Sequence, residues 1–389
     1  MMRIAMLLLN QGRGSGEVAR NHTRFLLERG HEVHFIHPRV GEGVAGATNH
    51  DVSLHTDVMP VHEYLPSASA GQKAVSTMSA DEARAYLPAY EAALEAVADS
   101  VDVFYGHHAN LTAIATANVA RRHGKPFVLF LHGTGIEPRI HGGYDDAIWA
   151  DIEQAVRAAD GIIVTTDYVR DELVRAVIDL PKERFIVLPC GVDLVEFRPG
   201  NSGDAAQRYG LPERYVICPG ALMAAKGPQN VVEASKFYAD DCTTVFIGDG
   251  ELRGELEEQL GDRGRFLGFV SSEDKAQLIV GATLLVAAPD KKEHFGIIYA
   301  EALAAGTPAV AYDGGGVGSV VTPAVGVLTE RDPQHLGEAI HDLLLDPLRR
   351  EAMAMAGRTR AEKYYSYPDL VGQLEAWLNT LCEQHCAAS

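Results

Sequence analysis

Two doubly wound parallel-sheet α/β domains in series are predicted by three observations. Short unbroken apolar runs alternate with helical patterns from the first residues, the rhythm breaks near residue 200, and it then restarts. A strand covered by helices on both faces shows a continuous apolar run rather than alternation. RIAMLLL (3 to 9) is such a run, NQGRGSG after it is a Gly-rich turn, and EVARNHTRFLLER spaces Val18, Phe25 and Leu26 as one helix face, with Gly30 as its stop. HEVHFIH, VDVFYG (101 to 106), PFVLFLH (126 to 132), GIIVTT (161 to 166) and RFIVLP (184 to 189) are the next strands. Residues 40 to 80 interrupt them with a polar stretch rich in Gly, Ser, His and Thr, expected to form loops and short strands and to help admit an acceptor.

Pro199 to Gly203 mark a linker, after which RYVICPG, TTVFIGDG, RFLGFV, TLLVAAP and PAVAYDGGG predict five more strands. The expected domains are Rossmann-like halves at 1–196 and 197–366 that face a cleft, and a closing amphipathic helix at 367–389 that packs back on the first half. In such sheets ligands sit at the carboxyl ends of the strands.

Composition narrows the function. Against 34 Lys and Arg stand 53 Asp and Glu, a formal charge of −19, which argues against nucleic acid or an anionic membrane as partner. No apolar run approaches the ~20 residues of a membrane span. MMRIAMLLLNQ lacks a small-residue cleavage site and runs straight into a Gly-rich turn, so it is a first strand rather than a signal peptide. Five scattered cysteines, Cys190, Cys218, Cys242, Cys382 and Cys386, suit reduced thiols in the cytoplasm. The terminal CEQHC is a helix end before it is a metal site, and Asp193 in CGVD is a turn or capping residue.

The stretch KKEHFGIIYAEALAAGTPAVAYDGGG places Glu293 in a loop and Glu301 inside a helix that must begin near Phe295 or Gly296 and stop at Gly306 before Pro308. Eight positions at ~100° each return a helical side chain to within roughly 80° of its start, so both carboxylates lie toward one side. Between them the first helical N–H groups have no internal partner and suit an anion such as phosphate. Carboxylates flanking a phosphate site are poor phosphate ligands and good acceptors for sugar hydroxyls. A nucleotide sugar has ribose on one side of its diphosphate and hexose on the other.

These residues resemble the E-x7-E signature of retaining GT-B glycosyltransferases, specifically glycosyltransferase family four. The likeness covers nearly the whole chain: GRGSGEVARNHTRFLLERGHEVHFI is similar to the family's opening, VLPCGVDLVEFRP to its crossover, and FIGDGE with FLGFVSSEDKAQLI to loops of its second domain. The resemblance implies that Glu301 bonds the ribose hydroxyls and Glu293 the donor hexose. It implies that the amides of Phe295, Gly296 and Ile297 hold the distal phosphate and that Lys226 neutralises the diphosphate. Gly14 and Gly16 would approach the phosphates from the other domain, His132 would lie beside the donor sugar, and Gly268, Phe269 and Val270 would meet the base through their backbone. His107 and His108, at another strand end, are acceptor-side candidates. The implied chemistry is metal-independent front-face transfer of a hexose, from UDP before GDP or ADP, to a small soluble molecule or saccharide; the D-x-D motif of metal-dependent transferases is missing. Two departures stand out. Ala221 occupies the family's arginine position, leaving Arg13 or Arg139 as substitutes, and GGGVGSVV lacks the family's following Glu.

Three rivals are weighed. GRGSG suggests an NAD-type dehydrogenase, but the second strand ends His37-Pro38-Arg39, without the acidic ribose ligand that class needs. A sugar-nucleotide epimerase or a phosphorylase on the same fold would act without net transfer from a nucleotide sugar to an acceptor. A non-catalytic nucleotide-sugar binder is made thinkable by Ala221.

Overall fold

The computed structural model describes residues 1–11, 14–38, 43–62 and 71–388. The chain divides into two compact units: Met1–Pro189 with Tyr367–Ser389, and Cys190–Ser366.

In the first unit the strands are β1 (Arg3–Leu7), β2 (Glu32–His37), β3 (Thr48–Asp51), β4 (Met59–Val61), β5 (Gln72–Ala74), β6 (Val103–His107), β7 (Phe127–Leu131), β8 (Gly161–Val164) and β9 (Phe185–Val187). Among the described residues β4 and β5 pair separately, and the others form one parallel sheet in the order β3-β2-β1-β6-β7-β8-β9. The apolar runs explain the centre: β6, β7 and β8 are buried along their whole length, and Ile4 and Met6 of β1 are completely enclosed. Each such side chain contributes about 1.5–3 kcal/mol of burial. β3, with the sequence TNHD, has no apolar face and joins only at the edge. The helix Tyr367–Ala388 packs on this unit: Tyr367 stacks on Phe25 at 5.5 Å, and Glu375 accepts from Arg29 (2.6 Å) and bonds His31 (3.0 Å).

In the second unit the strands are β10 (Tyr215–Pro219), β11 (Thr243–Ile247), β12 (Gly264–Phe266), β13 (Leu284–Ala287), β14 (Ala309–Tyr312) and β15 (Gly326–Thr329). They form a parallel sheet in the order β12-β11-β10-β13-β14-β15. The sequence reading expected five strands here and missed β15, a four-residue edge strand whose middle residues are only half-buried. Asp193 takes the turn role expected of it, its Oδ1 accepting from the N–H groups of Val195 (2.9 Å) and Glu196 (3.0 Å).

Both sheets wind outward in two directions from an internal pair. The direction reverses between β1 and β6 in one unit and between β10 and β13 in the other. At such a reversal the two following loops part, leaving a crevice beyond the carboxyl ends of the strands.

Candidate active site

In the second unit the reversal brings together the loop after β10, which carries Lys226, and the loop after β13, which carries Glu293. Lys226 closes a short 3-10 turn, Ala224–Lys226, and Gly227 follows in the left-handed region at φ 64°. A Cβ on Gly227 would lie 1.8 Å from the Ala288 carbonyl oxygen, so only glycine lets this turn press against the end of β13. Asn230 ties the two loops further, donating to Ala288 O (2.9 Å) and Asp290 Oδ1 (2.8 Å). The result is an ion pair between residues 67 positions apart: Lys226 Nζ donates to Glu293 Oε1 at 2.8 Å. The lysine side chain is 44% exposed and the glutamate 23%, so water screens the pair and its own contribution to stability is small.

Glu293 is fixed on its backbone side as well. Its carbonyl accepts from Gly316 N (2.7 Å), and it bridges to Gly315 in the loop after β14. Three residues on, Gly296 (φ 83°) starts the helix Ile297–Ala305. The Phe295 side chain is buried edge-on to Tyr365 at 5.7 Å, which leaves the backbone of 295–297 as the chemistry-bearing part of that turn. The N–H groups of the first helical turn have no carbonyl of their own helix to reach, and the helix dipole adds positive character there. Tyr299, in the same turn, keeps its proton: burial, and then the charge of Glu293, raise its hydroxyl well above the usual range.

Glu301 lies one turn further along a helix buried from Tyr299 to Ala305, and is itself 8% exposed. Lys275 Nζ donates to its Oε1 at 2.6 Å, while Oε2 is buried and accepts no hydrogen bond from the described residues. The loop after β12 completes this edge. Gly268 is buried, with its carbonyl accepting from Gly248 N (2.8 Å), Phe269 is 72% exposed, and Val270 is partly covered.

Two cations of this unit escaped the sequence reading. Lys275 stands in FLGFVSSEDKAQLI, where nothing in its spacing announces a partner 26 residues away. Arg331, just beyond β15, donates to the carbonyls of Pro289 and Asp290 (2.6 Å each) and lies over the Tyr312 ring, bracing the loop that carries Glu293. Of the two substitutes considered for the absent arginine, Arg139 is engaged by Asp146 at 2.7 Å. Arg13, like Gly12 and Arg39, lies outside the described residues.

In the first unit the reversal places the start of the helix Gly14–Glu28 beside the end of β6. Gly14 is exposed. Gly16 is buried, and a Cβ there would sit 1.5 Å from the Gln11 carbonyl oxygen, so the close backbone approach of the turn itself accounts for this glycine. His107 ends β6, and its Nδ1 lies 3.0 Å from Nε2 of His132, one residue past β7. The ring contacts run onward: His108 is tilted against His132 at 4.8 Å and stacks on His62 at 4.2 Å, and Phe130 stacks on His132 at 4.0 Å. His108 adopts φ 71°, a conformation that costs a non-glycine residue about 1 kcal/mol or more and recurs at functional positions.

Burial keeps His22 and His107 neutral. It holds His22, which bonds Tyr105 Oη at 3.2 Å, down to about 4, and it holds His107 well below the usual range, with His108 and His22 adding to the effect. A group whose folded value is depressed binds protons less readily than in the unfolded chain, so stability falls as pH drops below the unfolded value near 6.5. For His22 the loss is complete near pH 4 and amounts to about 3 kcal/mol. Urea unfolding between pH 7 and 4.5 is expected to show this decline, and His22→Phe a flatter one. Constant stability over that window would mean that neither imidazole is buried neutral.

Comparison with known proteins gives the family and the fold. Residues 12–196 match the family described as Glycosyltransferase Family 4, and residues 205–360 the family described as Glycosyl transferases group 1. The chain is 31% identical over 301 residues to D-inositol 3-phosphate glycosyltransferase 1 of Catenulispora acidiphila, covering 71% of each chain. It is 27% identical over 296 residues to the alpha-maltose-1-phosphate synthase of Mycolicibacterium smegmatis, covering 68% of this chain and 76% of that one. Among solved structures it is similar to Anabaena Alr3699/HepE in complex with UDP, with a TM-score of 0.75 at 18% identity over 98% of this chain and 100% of that one.

Proposed function

The chain belongs to glycosyltransferase family four and has a GT-B fold, and from that premise we propose that it is a retaining transferase. It moves a hexose-type sugar from a nucleoside diphosphate, UDP first, to a hydroxyl of a small soluble molecule or saccharide. The observation that carries this reading is the arrangement at the β10/β13 reversal: Lys226 and Glu293 2.8 Å apart just before a helix N-terminus, with the nearly enclosed carboxylate of Glu301 one turn inside it.

The bond that breaks joins the sugar to a phosphate oxygen, and negative charge grows on the departing diphosphate. Lys226 and the amides of Phe295, Gly296 and Ile297 stabilise that charge with groups already oriented before reaction. Because they supply the positive charge, no divalent cation is required. Glu293 accepts from hydroxyls of the hexose and Glu301 from those of the ribose, while the base lies along Gly268, Phe269 and Val270. The acceptor hydroxyl enters from the face the diphosphate leaves and gives its proton to a phosphate oxygen. His107 and the strained His108 bind the acceptor: a neutral imidazole such as that of His107 both donates and accepts, which suits a polyol. No helix among the described residues is long and apolar enough to cross a membrane.

Turnover of UDP-, GDP- and ADP-hexoses, with and without polyol acceptors that include D-inositol 3-phosphate, tests this. Transfer to an acceptor with the anomeric configuration kept is expected. An inverted product would overturn the retaining mechanism. Phosphate-dependent release from an oligosaccharide would indicate a phosphorylase, and diphosphate binding without turnover a non-catalytic binder.

A further inference from the structure

We infer that Lys275 is a positioning residue for nucleotide recognition: it holds the Glu301 carboxylate in place to read the two ribose hydroxyls. The inference rests on the proposed role of Glu301.

The helix Ile297–Ala305 has the sequence IIYAEALAA, and Glu301 is its one charged residue, buried with the apolar side chains around it. An ionised carboxylate in such surroundings is tolerated only with an opposite charge at hand. Lys275, on the neighbouring helix Ser272–Gly281, provides it at 2.6 Å. Its nearer acidic neighbours are otherwise engaged: Asp274 binds Arg208 and accepts from Tyr209 Oη (3.0 Å), and Glu273 accepts from Gln277 (3.2 Å). The ammonium also lies 5.7 Å from the ring centre of the buried Phe197, within cation–π range. Lys275 is therefore held from two sides and steers one carboxylate oxygen.

The other oxygen is what points to a ligand. Oε2 is buried without a hydrogen-bond donor among the described residues, and an enclosed acceptor left unpaired is costly. If the pair served only to join two helices, a second donor would be expected on a group this well covered. A carboxylate accepts at both oxygens, and its terminal torsion is soft enough to turn toward an incoming donor. A cis-diol supplies two adjacent O–H donors, and ribose carries one beside the diphosphate. Lys275 holds Oε1 and leaves acceptor capacity for the diol.

Calorimetric titration of UDP, GDP and ADP, each against its 2′,3′-dideoxy form, tests this on the full chain and on Glu301→Ala, Lys275→Ala, Lys275→Gln and Lys275→Arg, with thermal unfolding as the check on folding. The unaltered protein is expected to prefer the ribose form of the nucleotide it binds by roughly tenfold, the scale of one to two hydrogen bonds. Glu301→Ala and Lys275→Ala should abolish that preference, and Lys275→Arg should restore most of it. Should Lys275→Ala fail to fold, Lys275→Gln, which keeps a donor but loses the charge, should weaken the preference severalfold. If the unaltered protein ignores the hydroxyls, or Glu301→Ala keeps the preference, the role of Glu301 itself is wrong. If Glu301→Ala loses the preference while the folded Lys275 variants keep it, or bind both forms equally more weakly, Lys275 only joins helices and the inference is overturned.

Discussion

Glu293→Gln is expected to lower turnover by at least about a hundredfold while leaving the fold intact. The substitution keeps the side chain's size and its reach to Lys226, 2.8 Å away, and removes only the charge. In the proposed mechanism that charge faces a sugar acquiring positive character as its bond to the phosphate lengthens. Losing a contact made chiefly in the transition state costs about 10²–10³ in rate. Glu293 is partly exposed and its backbone is pinned by Gly315 and Gly316, so the thermal midpoint should hardly move. Turnover within a few-fold of normal in a folded Glu293→Gln protein would remove this residue from the chemistry.

Lys226→Ala is expected to weaken binding of the free nucleoside diphosphate by about ten- to a hundredfold. A charge-assisted hydrogen bond to a phosphate oxygen is worth about 1.5–3 kcal/mol. The effect should exceed that of the lost ammonium alone, because the substitution also leaves Glu293 without its counter-charge next to an incoming polyanion. Lys226→Ala combined with Glu293→Gln should therefore bind the diphosphate better than Lys226→Ala does, since neighbours that share an ion pair do not add. Unchanged affinity in Lys226→Ala by calorimetry would show that another cation holds the phosphates, with Arg331, which braces the same loop, the first to examine.

What was legible in the sequence follows from the forces involved. Central strands such as FVLFL and VFYGH announce themselves because two covered faces demand unbroken apolar runs. Edge strands carry no such demand: the polar TNHD of β3 shows only as part of a stretch expected to hold loops and short strands, and the half-covered GVLT of β15 goes unannounced. Glu293, Glu301 and Lys226 were each marked by a resemblance, but their spatial relation is a product of strand order: only β13 lying next to β10 brings Lys226 to Glu293. Lys275 was invisible because helix packing, not local pattern, decides whom it meets. His107, His108 and His132 were recognisable singly as strand-end residues. The stacking of His108 with His62 depends on a segment whose sequence offered no periodicity.

The most direct test is a crystal structure with a hydrolysis-resistant nucleotide sugar bound. The pyrophosphate oxygens should lie about 2.7–3.1 Å from the amide nitrogens at 295–297 and from Lys226 Nζ, with the hexose against Glu293 and the ribose against Glu301. A pyrophosphate held away from the start of the helix Ile297–Ala305, with Lys226 still bound to Glu293 and Lys275 to Glu301, and no ribose hydroxyl at Glu301, would contradict the account.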